Sequence, residues 1–462
     1  MIHAFEALGV YMVLDVASGA VHAVDKPAYE ALRRLEQGMT PEQTVEALCA
    51  DMPRRDAEEL MGEIDELRAQ GLLFAEDDYA ERFHNRQAPK VVKAMCLHAA
   101  HDCNLRCRYC FASTGDYHGP RGLLSLDTGK RALEFLVAHS GNRKNLELDF
   151  FGGEPMLNFE VVKQLVAYGR ELEKDSGKRF RFTITTNGVG LTDEDAAFFS
   201  REMENVVVSL DGRKEVHDRM RPMADGSGSF EASLAGAKKV AASRPGRDWY
   251  VRGTFTANNL DFSEDVLALH DMGLEQLSIE PVVSDPDTKY ALREEHLPQI
   301  FEQYEKLARE FYRRRKAGRR FIFFHFMVDL SQGPCIVKRL TGCGAGNEYV
   351  AVTPEGDIYP CHQFVGREGF KMGNVNEGTF DTAIQERFAK AHVLSKPTCK
   401  QCWARYYCSG GCAANAHSFS GDIIEPYKMG CEMEKKRLEC ALAIYALEKG
   451  LVSDEHLEER VD

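Results

Sequence analysis

Cys103, Cys107 and Cys110 fall within the run His-Asp-Cys-Asn-Leu-Arg-Cys-Arg-Tyr-Cys-Phe, a C-x3-C-x2-C spacing that puts three thiolates on one short loop. Three thiolates this close can hold three irons of a cubane [4Fe–4S] cluster and leave the fourth iron without a protein ligand. An open metal position separates a catalytic site from a structural one. Thiolate-rich sets suit iron–sulfur clusters or zinc. Zinc pairs usually read C-x2-4-C and need a fourth ligand, and this triplet offers no obvious local one. A half-built zinc site or three buried thiols are the plainer alternatives.

A second cysteine group lies far downstream. Cys343 is followed by twelve residues, Gly356, four residues and Cys361; then come Cys399-x2-Cys402-x5-Cys408-x3-Cys412 and, after a gap, Cys431. Cys399, Cys402, Cys408 and Cys412 alone would satisfy a four-thiolate zinc site, which leaves Cys343, Cys361 and Cys431 without a role. Between the two groups, Phe151-Gly152-Gly153-Glu154-Pro155 carries two glycines. These let the backbone approach a ligand closely and free N–H groups to bind it, although the run alone is also an ordinary strand-end turn.

The elements that must position these residues follow from patterning. Residues 92–98, 146–151, 180–185, 205–210, 250–256 and 276–280 are short β-rich runs alternating with helical stretches, the mark of βα units around a parallel sheet. Six such units suit a partial barrel better than full eight-fold closure. Ligands in parallel βα folds bind at the C-terminal strand ends. The cysteine triplet follows the first predicted strand and Gly-Gly-Glu ends the second. Asn187, Ser209 and Asp211 end later strands and are candidates for ribose or carboxylate contacts. Arg252 is a candidate for a ligand carboxylate or a barrel acid, and His217-Asp218 reads as a helix cap.

The fold class expected is therefore α/β: a partial (β/α)6 barrel at 91–285, flanked by smaller units. Residues 1–75 read as a winged-helix-like module: a hairpin over 11–24 with its turn at Ser18-Gly19, a helix start at Thr40-Pro41, a helix over 57–70 stopped by Gly71, and a final strand at 72–74. Residues 76–90 are polar and read as a linker, 286–334 as a bridging helical region with a long charged helix over 290–318. Residues 335–435 are cysteine- and glycine-rich, with a hairpin over 349–359. Too few apolar residues remain there for a conventional core, so metal is expected to staple it. The stretch Glu432–Lys449 reads as an amphipathic helix, and residues 436–462 as a C-terminal helix and tail.

At 462 residues, 44% hydrophobic and 28% charged, the composition is that of a soluble globular protein. No 18-residue apolar run is present and the N-terminus lacks a secretory pattern, so a cytoplasmic protein without a membrane partner is expected. Fourteen cysteines in a reducing compartment point to metal or redox chemistry rather than disulfides. A formal charge of −14 argues against a nucleic-acid partner; the one basic run, from Arg313 to Arg320, reads as the solvated end of a helix.

The triplet, with an aromatic before its last cysteine, resembles the signature of radical S-adenosylmethionine (SAM) enzymes, and Gly152-Gly153-Glu154-Pro155 resembles their GGEP motif. That resemblance implies that Cys103, Cys107 and Cys110 hold a catalytic cluster and that Gly152, Gly153 and Glu154 hold the methionine amino group of SAM. It further implies that Tyr109 packs near adenine and that reductive cleavage of SAM yields a 5′-deoxyadenosyl radical. Asn187, Ser209 and Arg252 are the remaining expected SAM contacts. The downstream cysteines resemble the SPASM domain of the same enzymes at all seven positions. This implies two auxiliary [4Fe–4S] clusters, three clusters in total: Cys399, Cys402, Cys408 and Cys431 on one, and Cys343, Cys361 and Cys412 on the other, with Cys335 left out. Cys49, Cys96 and Cys440 default to small buried hydrophobes.

Sulfatase maturases share this plan but place an Asp immediately after the cysteine matching Cys361, where this chain has His362. The N-terminal unit resembles the peptide-recognition element of ribosomal-peptide maturases, which binds a leader as an added strand. Through the cysteine loop, Gly-Asp-Ile-Tyr-Pro-Cys-His-Gln-Phe-Val-Gly and Ser-Gly-Ala-Val-His-Ala-Val-Asp, nearly the whole chain resembles the maturases of six-cysteine SCIFF peptides. This implies thioether (ranthipeptide or sactipeptide) formation in a Cys-rich precursor, with an electron donor such as flavodoxin or ferredoxin. A different radical SAM peptide modification, such as a carbon–carbon crosslink or desaturation, and a non-enzymatic zinc-binding recognition module are the alternatives.

Overall fold

The computed structural model describes residues 1–84, 90–328 and 336–457. Strands β1 (Ile2–Ala7), β2 (Val10–Asp15) and β3 (Val21–Val24) form an antiparallel sheet in that order. The predicted hairpin is β2–β3; β1, not anticipated, pairs along the whole of β2. Helices Lys26–Glu36, Pro41–Leu48 and Arg54–Ala69 follow, with Leu32, Val45, Leu48, Met61 and Ile64 packed together with Ile2 and Val13. Thr40 and Gln43 close a reciprocal capping box at the start of the second helix.

Two expectations fail here. Residues 72–74 form no strand: the chain turns at Gly71 (φ +70°), and buried Leu73 serves the helical core instead of a ladder. The segment expected to be a linker holds a helix, Tyr79–His84, because Tyr79 packs into an apolar cluster with Val16, Leu340, Val393, Cys399 and Tyr406.

The barrel comprises β4 (Ala94–His101), β5 (Gly122–Leu123), β6 (Asn145–Gly152), β7 (Arg179–Thr186), β8 (Met203–Ser209), β9 (Tyr250–Phe255), β10 (Gln276–Pro281) and β11 (Ile322–Phe323). β4, β6, β7, β8, β9 and β10 are parallel neighbours in that order, and all six overlap predicted runs. β5 flanks β4 antiparallel and β11 extends β10. Phe150, Phe180 and Phe182 are buried and stack with ring centroids 5.5–5.8 Å apart; burying each such ring contributes about 1.5–3 kcal/mol.

β12 (Tyr349–Val352) and β13 (Asp357–Tyr359) form the predicted downstream hairpin, followed by β14 (Gly373–Asn374) and β15 (Thr379–Phe380). β12 also pairs parallel with β4, from Tyr349↔Ala94 to Val352↔Leu97. The cysteine-rich region therefore continues the barrel sheet. It also has an apolar core of its own, Phe364, Phe370, Phe388 and Ile423, correcting the expectation that metal alone holds it. The basic run ends helix Leu297–Lys316. Arg314 and Arg319 pair with Asp271, Arg315 with Glu448 and Lys316 with Asp454, so most of its charge is neutralised within the chain. No described helix is long and apolar enough to cross a membrane.

Candidate active site

β4 ends at His101, and the loop beyond it carries Cys103, Cys107 and Cys110 on the wall of a cavity at the C-terminal end of the barrel strands. Backbone bonds fix this loop from two sides. Arg106 N and Arg108 N donate to Pro222 O and Met220 O, both at 2.8 Å; Gly153 N and Glu154 N donate to Ala100 O and Asp102 O, also at 2.8 Å. The latter pair corrects one expectation: these N–H groups are not free for a ligand, because they anchor the cysteine loop. The glycines matter for close approach. A Cβ at Gly152 would collide with the Ala100 carbonyl, and one at Gly153 with the Asp102 carbonyl. Burial pushes the Cys103 and Cys107 thiols up to about 12, so metal must displace their protons to bind.

Glu154 is 2% exposed. Its Oε1 accepts from Thr186 Oγ1 (2.7 Å) and Met156 N (3.1 Å), and its Oε2 from Asn187 N (2.8 Å). Burial pushes its pKa up while these three donors pull it down; the net direction is upward. Asn187 donates to Asn104 Oδ1 at 2.7 Å, tying the end of β7 to the cysteine loop. Ser209 lines the same cavity, as do Tyr109, Gly152, Gly153 and Arg252.

Asp211 is fully buried and not open to a ligand. It accepts from Tyr109 Oη, Arg221 Nε (3.0 Å) and Thr254 N (2.9 Å), with the Arg221 guanidinium 5.3 Å from the Tyr109 ring centroid. Sequence patterning does not find Arg221, because nothing local distinguishes it from other helix-end arginines. His217 receives Asp211 N and bonds Ser229, while Asp218 caps the backbone at Phe230. Arg252 takes the barrel-acid alternative, 2.7 Å from Glu280. Both side chains are about 40% accessible and line the cavity. Burial raises the Glu280 pKa, yet Arg252, His325 and Arg437 together carry it down to about 2.

The downstream cysteines gather into the two expected groups. Cys399, Cys402, Cys408 and Cys431 line one cavity. Cys412 and Cys343 lie near enough to Cys361 that their thiolates would oppose its ionisation, beside the larger effect of burial. Burial pushes the Cys361 thiol up to about 12 and those of Cys408 and Cys431 to about 11. Cys335 lies outside the described residues. Cys96 and Cys440 are buried and Cys49 is half-buried. His362 and Gln363, next to Cys361, and Asn415, near Cys412, line the cavity of the Cys103 loop. The His362 ring lies between Phe111 and Phe151, at 5.2 and 5.1 Å.

Among the described residues, no three His, Cys, Asp or Glu side chains converge as a single metal ion requires. A cubane has its irons at separate corners, so its thiolate ligands need not meet at one point. The donor sets are soft sulfur throughout, which suits iron–sulfur clusters.

The radical SAM superfamily model matches residues 99–246, and the SPASM model, an iron–sulfur cluster-binding domain, matches residues 343–403. Residues 99–246 carry a radical SAM domain and residues 343–403 a SPASM domain. A cysteine-type anaerobic sulfatase-maturating enzyme of Clostridium novyi is 26% identical over 71% of the chain and 89% of its own length. The mycofactocin maturase MftC of Mycobacterium ulcerans is 28% identical over 69% and 82%. Among solved structures, native anSMEcpe with bound AdoMet superposes with a TM-score of 0.64 at 20% identity, over 78% of this chain and all of that one. Streptococcus suis SuiB bound to its precursor peptide SuiA superposes with a TM-score of 0.52 at 14% identity, over 92% and 97%. The radical SAM and SPASM domains take SAM and multiple [4Fe–4S] clusters as cofactors.

Proposed function

We propose that this chain is a peptide maturase that installs intramolecular thioether crosslinks, Cys sulfur to carbon, in a Cys-rich ribosomally made precursor. The observation that carries this reading is the shared wall: residues beside Cys361 and Cys412 line the same cavity as Cys103, Cys107 and Cys110. A substrate thiolate held at the Cys343–Cys361–Cys412 group would lie next to the radical-generating site. SAM and the cluster on Cys103, Cys107 and Cys110 supply a 5′-deoxyadenosyl radical when reduced. Glu154, Gly152 and Gly153 orient the methionine end of SAM, Tyr109 the adenine, and Asn187, Ser209 and Arg252 line the remaining wall. Coordination there would deprotonate the substrate thiol and fix its position, so no side-chain base would be required. This fits His362, whose pKa burial and Arg252 hold down at about 4, at the position where sulfatase maturases place an Asp.

Two further features support a peptide substrate. The SuiB likeness spans more of the chain than the anSMEcpe likeness. β3 pairs only with β2 among the described residues, which leaves an edge on which a leader can add as a strand. Cys399, Cys402, Cys408 and Cys431 would hold the second auxiliary cluster and provide a way out for the surplus electron, and a flavodoxin or ferredoxin would supply the electron that reduces the Cys103 site.

The test is anaerobic incubation of reconstituted protein with SAM, a reductant and a Cys-rich precursor encoded beside it, read by mass spectrometry after thiol alkylation. The expected result is loss of two hydrogens per crosslink and one fewer alkylated cysteine. Deoxyadenosine without that mass change rejects thioether formation and leaves a different peptide modification. Neither product from iron-replete protein rejects the catalytic reading.

A further inference from the structure

We infer that the N-terminal domain and the segment that follows it form a clasp on the auxiliary site, with His3 and Asp77 as positioning residues for the group Cys399, Cys402, Cys408 and Cys431. The inference rests on the proposal that these four cysteines hold a cluster. Cys402 and Cys408 bracket the loop Trp403-Ala404-Arg405-Tyr406-Tyr407, and its large side chains lean on the N-terminal region. The Trp403 ring stacks on His3 at 3.9 Å and 8° between planes. His3 in turn bonds Glu439 at 3.1 Å, on the helix Lys428–Glu448 that also carries Cys431.

Asp77 makes the strongest contacts. Its carboxylate accepts from the Arg405 guanidinium at 2.5 Å and from Tyr406 Oη at 2.7 and 2.8 Å. The same guanidinium donates to Cys402 O at 3.1 Å, one bond network away from a thiol of the group. Tyr406 also stacks on Tyr79 at 4.1 Å. Arg405 is 6% exposed and Tyr406 1%, while the Asp77 side chain is 31% exposed, so the donors are buried and these charge-assisted bonds are only partly screened by water. Asp77 is itself held in place. Two residues earlier, Ala75 N donates to Asp15 Oδ2 at 3.1 Å, while Asp15 Oδ1 holds Ser18 in the hairpin turn at 2.8 Å. Gly19 of that turn sits against the Tyr407 hydroxyl, and Cys399 shares an apolar cluster with Val16, Tyr79 and Tyr406. Partners behind metal ligands orient them, and their loss commonly costs about 10–100-fold in metal affinity.

The test uses the full chain carrying C103A, C107A and C110A, so that auxiliary iron alone is followed. Protein reconstituted anaerobically is mixed with a ferrous chelator and iron release is timed, with electron paramagnetic resonance of the reduced state in parallel. D77A is expected to release the iron of the four-cysteine group about tenfold faster with a changed resonance, and Y406F to move the same way by less. The iron of the Cys343 group and an exposed neighbour variant, D78A, are expected to keep the parent rate. Y406F removes one hydroxyl, so it carries the test if D77A does not fold. Parent rates in both D77A and Y406F overturn the clasp. If C399A with C402A leaves total iron unchanged, the four cysteines are not cluster ligands and both readings fall. Loss of about four irons with no effect of Asp77 removes the clasp alone.

Discussion

The hydroxyl of Tyr109 donates to both carboxylate oxygens of Asp211, at 2.8 and 2.7 Å. Tyr109 lies between Cys107 and Cys110, and Asp211 also takes Arg221 and the backbone N–H of Thr254. The pair thus fastens the cysteine loop to the ends of β8 and β9. D211N keeps the shape but turns a strong acceptor into a weaker one that presents an N–H₂ to Arg221. Hydrogen bonds to a charged group are worth about 1.5–3 kcal/mol, so SAM cleavage is expected to fall about 10–100-fold. Deoxyadenosine formation at matched iron content measures this; an unchanged rate would show that the loop holds itself.

Asp149, inside the barrel on β6, is pushed up to about 7 by burial, with weak support from Thr185 Oγ1 at 3.4 Å. Its pKa is higher folded than unfolded, so the folded state binds the extra proton between roughly pH 4 and 7. Stability then falls as pH rises through that window and is flat above it. Raising a carboxyl from its ordinary 3.8 to about 7 costs on the order of 4 kcal/mol at pH 8, at about 1.4 kcal/mol per pH unit. D149N is expected to be more stable than the parent at pH 8 and equal to it near pH 4. Anaerobic urea unfolding at both values checks the sign.

Much of this site is legible in the sequence because chemistry and topology coincide locally. The cysteine loop and Gly-Gly-Glu each follow a β-rich run, and strand ends are where parallel βα folds gather ligands. The six barrel strands announce themselves by alternation. What the sequence conceals depends on long-range partners. β12 reads as a short apolar run like any buried strand, and nothing in Tyr349–Val352 names β4 as its neighbour. Leu72–Phe74 is apolar enough for a strand, but Gly71 and the helical core claim it. Asp77 looks like linker polarity until Arg405 and Tyr406, far along the chain, arrive beside it. The Gly153 and Glu154 N–H groups look free in sequence because their acceptors, Ala100 and Asp102, belong to another strand and its loop.

Arg252 and Glu280 are joined at 2.7 Å within the cavity. The Glu280 pKa is depressed to about 2, so its contribution to stability is present above the ordinary carboxylate pKa and is lost as pH falls toward 2. R252Q leaves a carboxylate without its nearest cation and is expected to destabilise at neutral pH; R252Q with E280Q is expected to recover most of the loss. Cavity water screens both side chains, so a coupling of only about 1 kcal/mol is expected from the double-mutant cycle. A vanishing coupling would mean that Arg437 suffices to hold Glu280 at neutral pH.

Cys343 is exposed, whereas its companions Cys361 and Cys412 are more enclosed. If this group presents the substrate thiolate while the Cys103 group generates the radical, the two functions are separable by mutation. C343A is expected to leave deoxyadenosine formation within about threefold of the parent, since Cys343 is not among the residues lining the radical site's cavity. The same variant is expected to abolish the two-hydrogen mass loss in the precursor. C103A is expected to abolish both, because two thiolates would no longer hold the cluster that SAM needs. Anaerobic assays of the two variants side by side, with peptide mass and deoxyadenosine read from the same samples, decide the matter. A C343A enzyme that crosslinks at the parent rate would place the substrate sulfur elsewhere. One that loses deoxyadenosine as fully as C103A would make the SPASM group part of the radical-generating site itself.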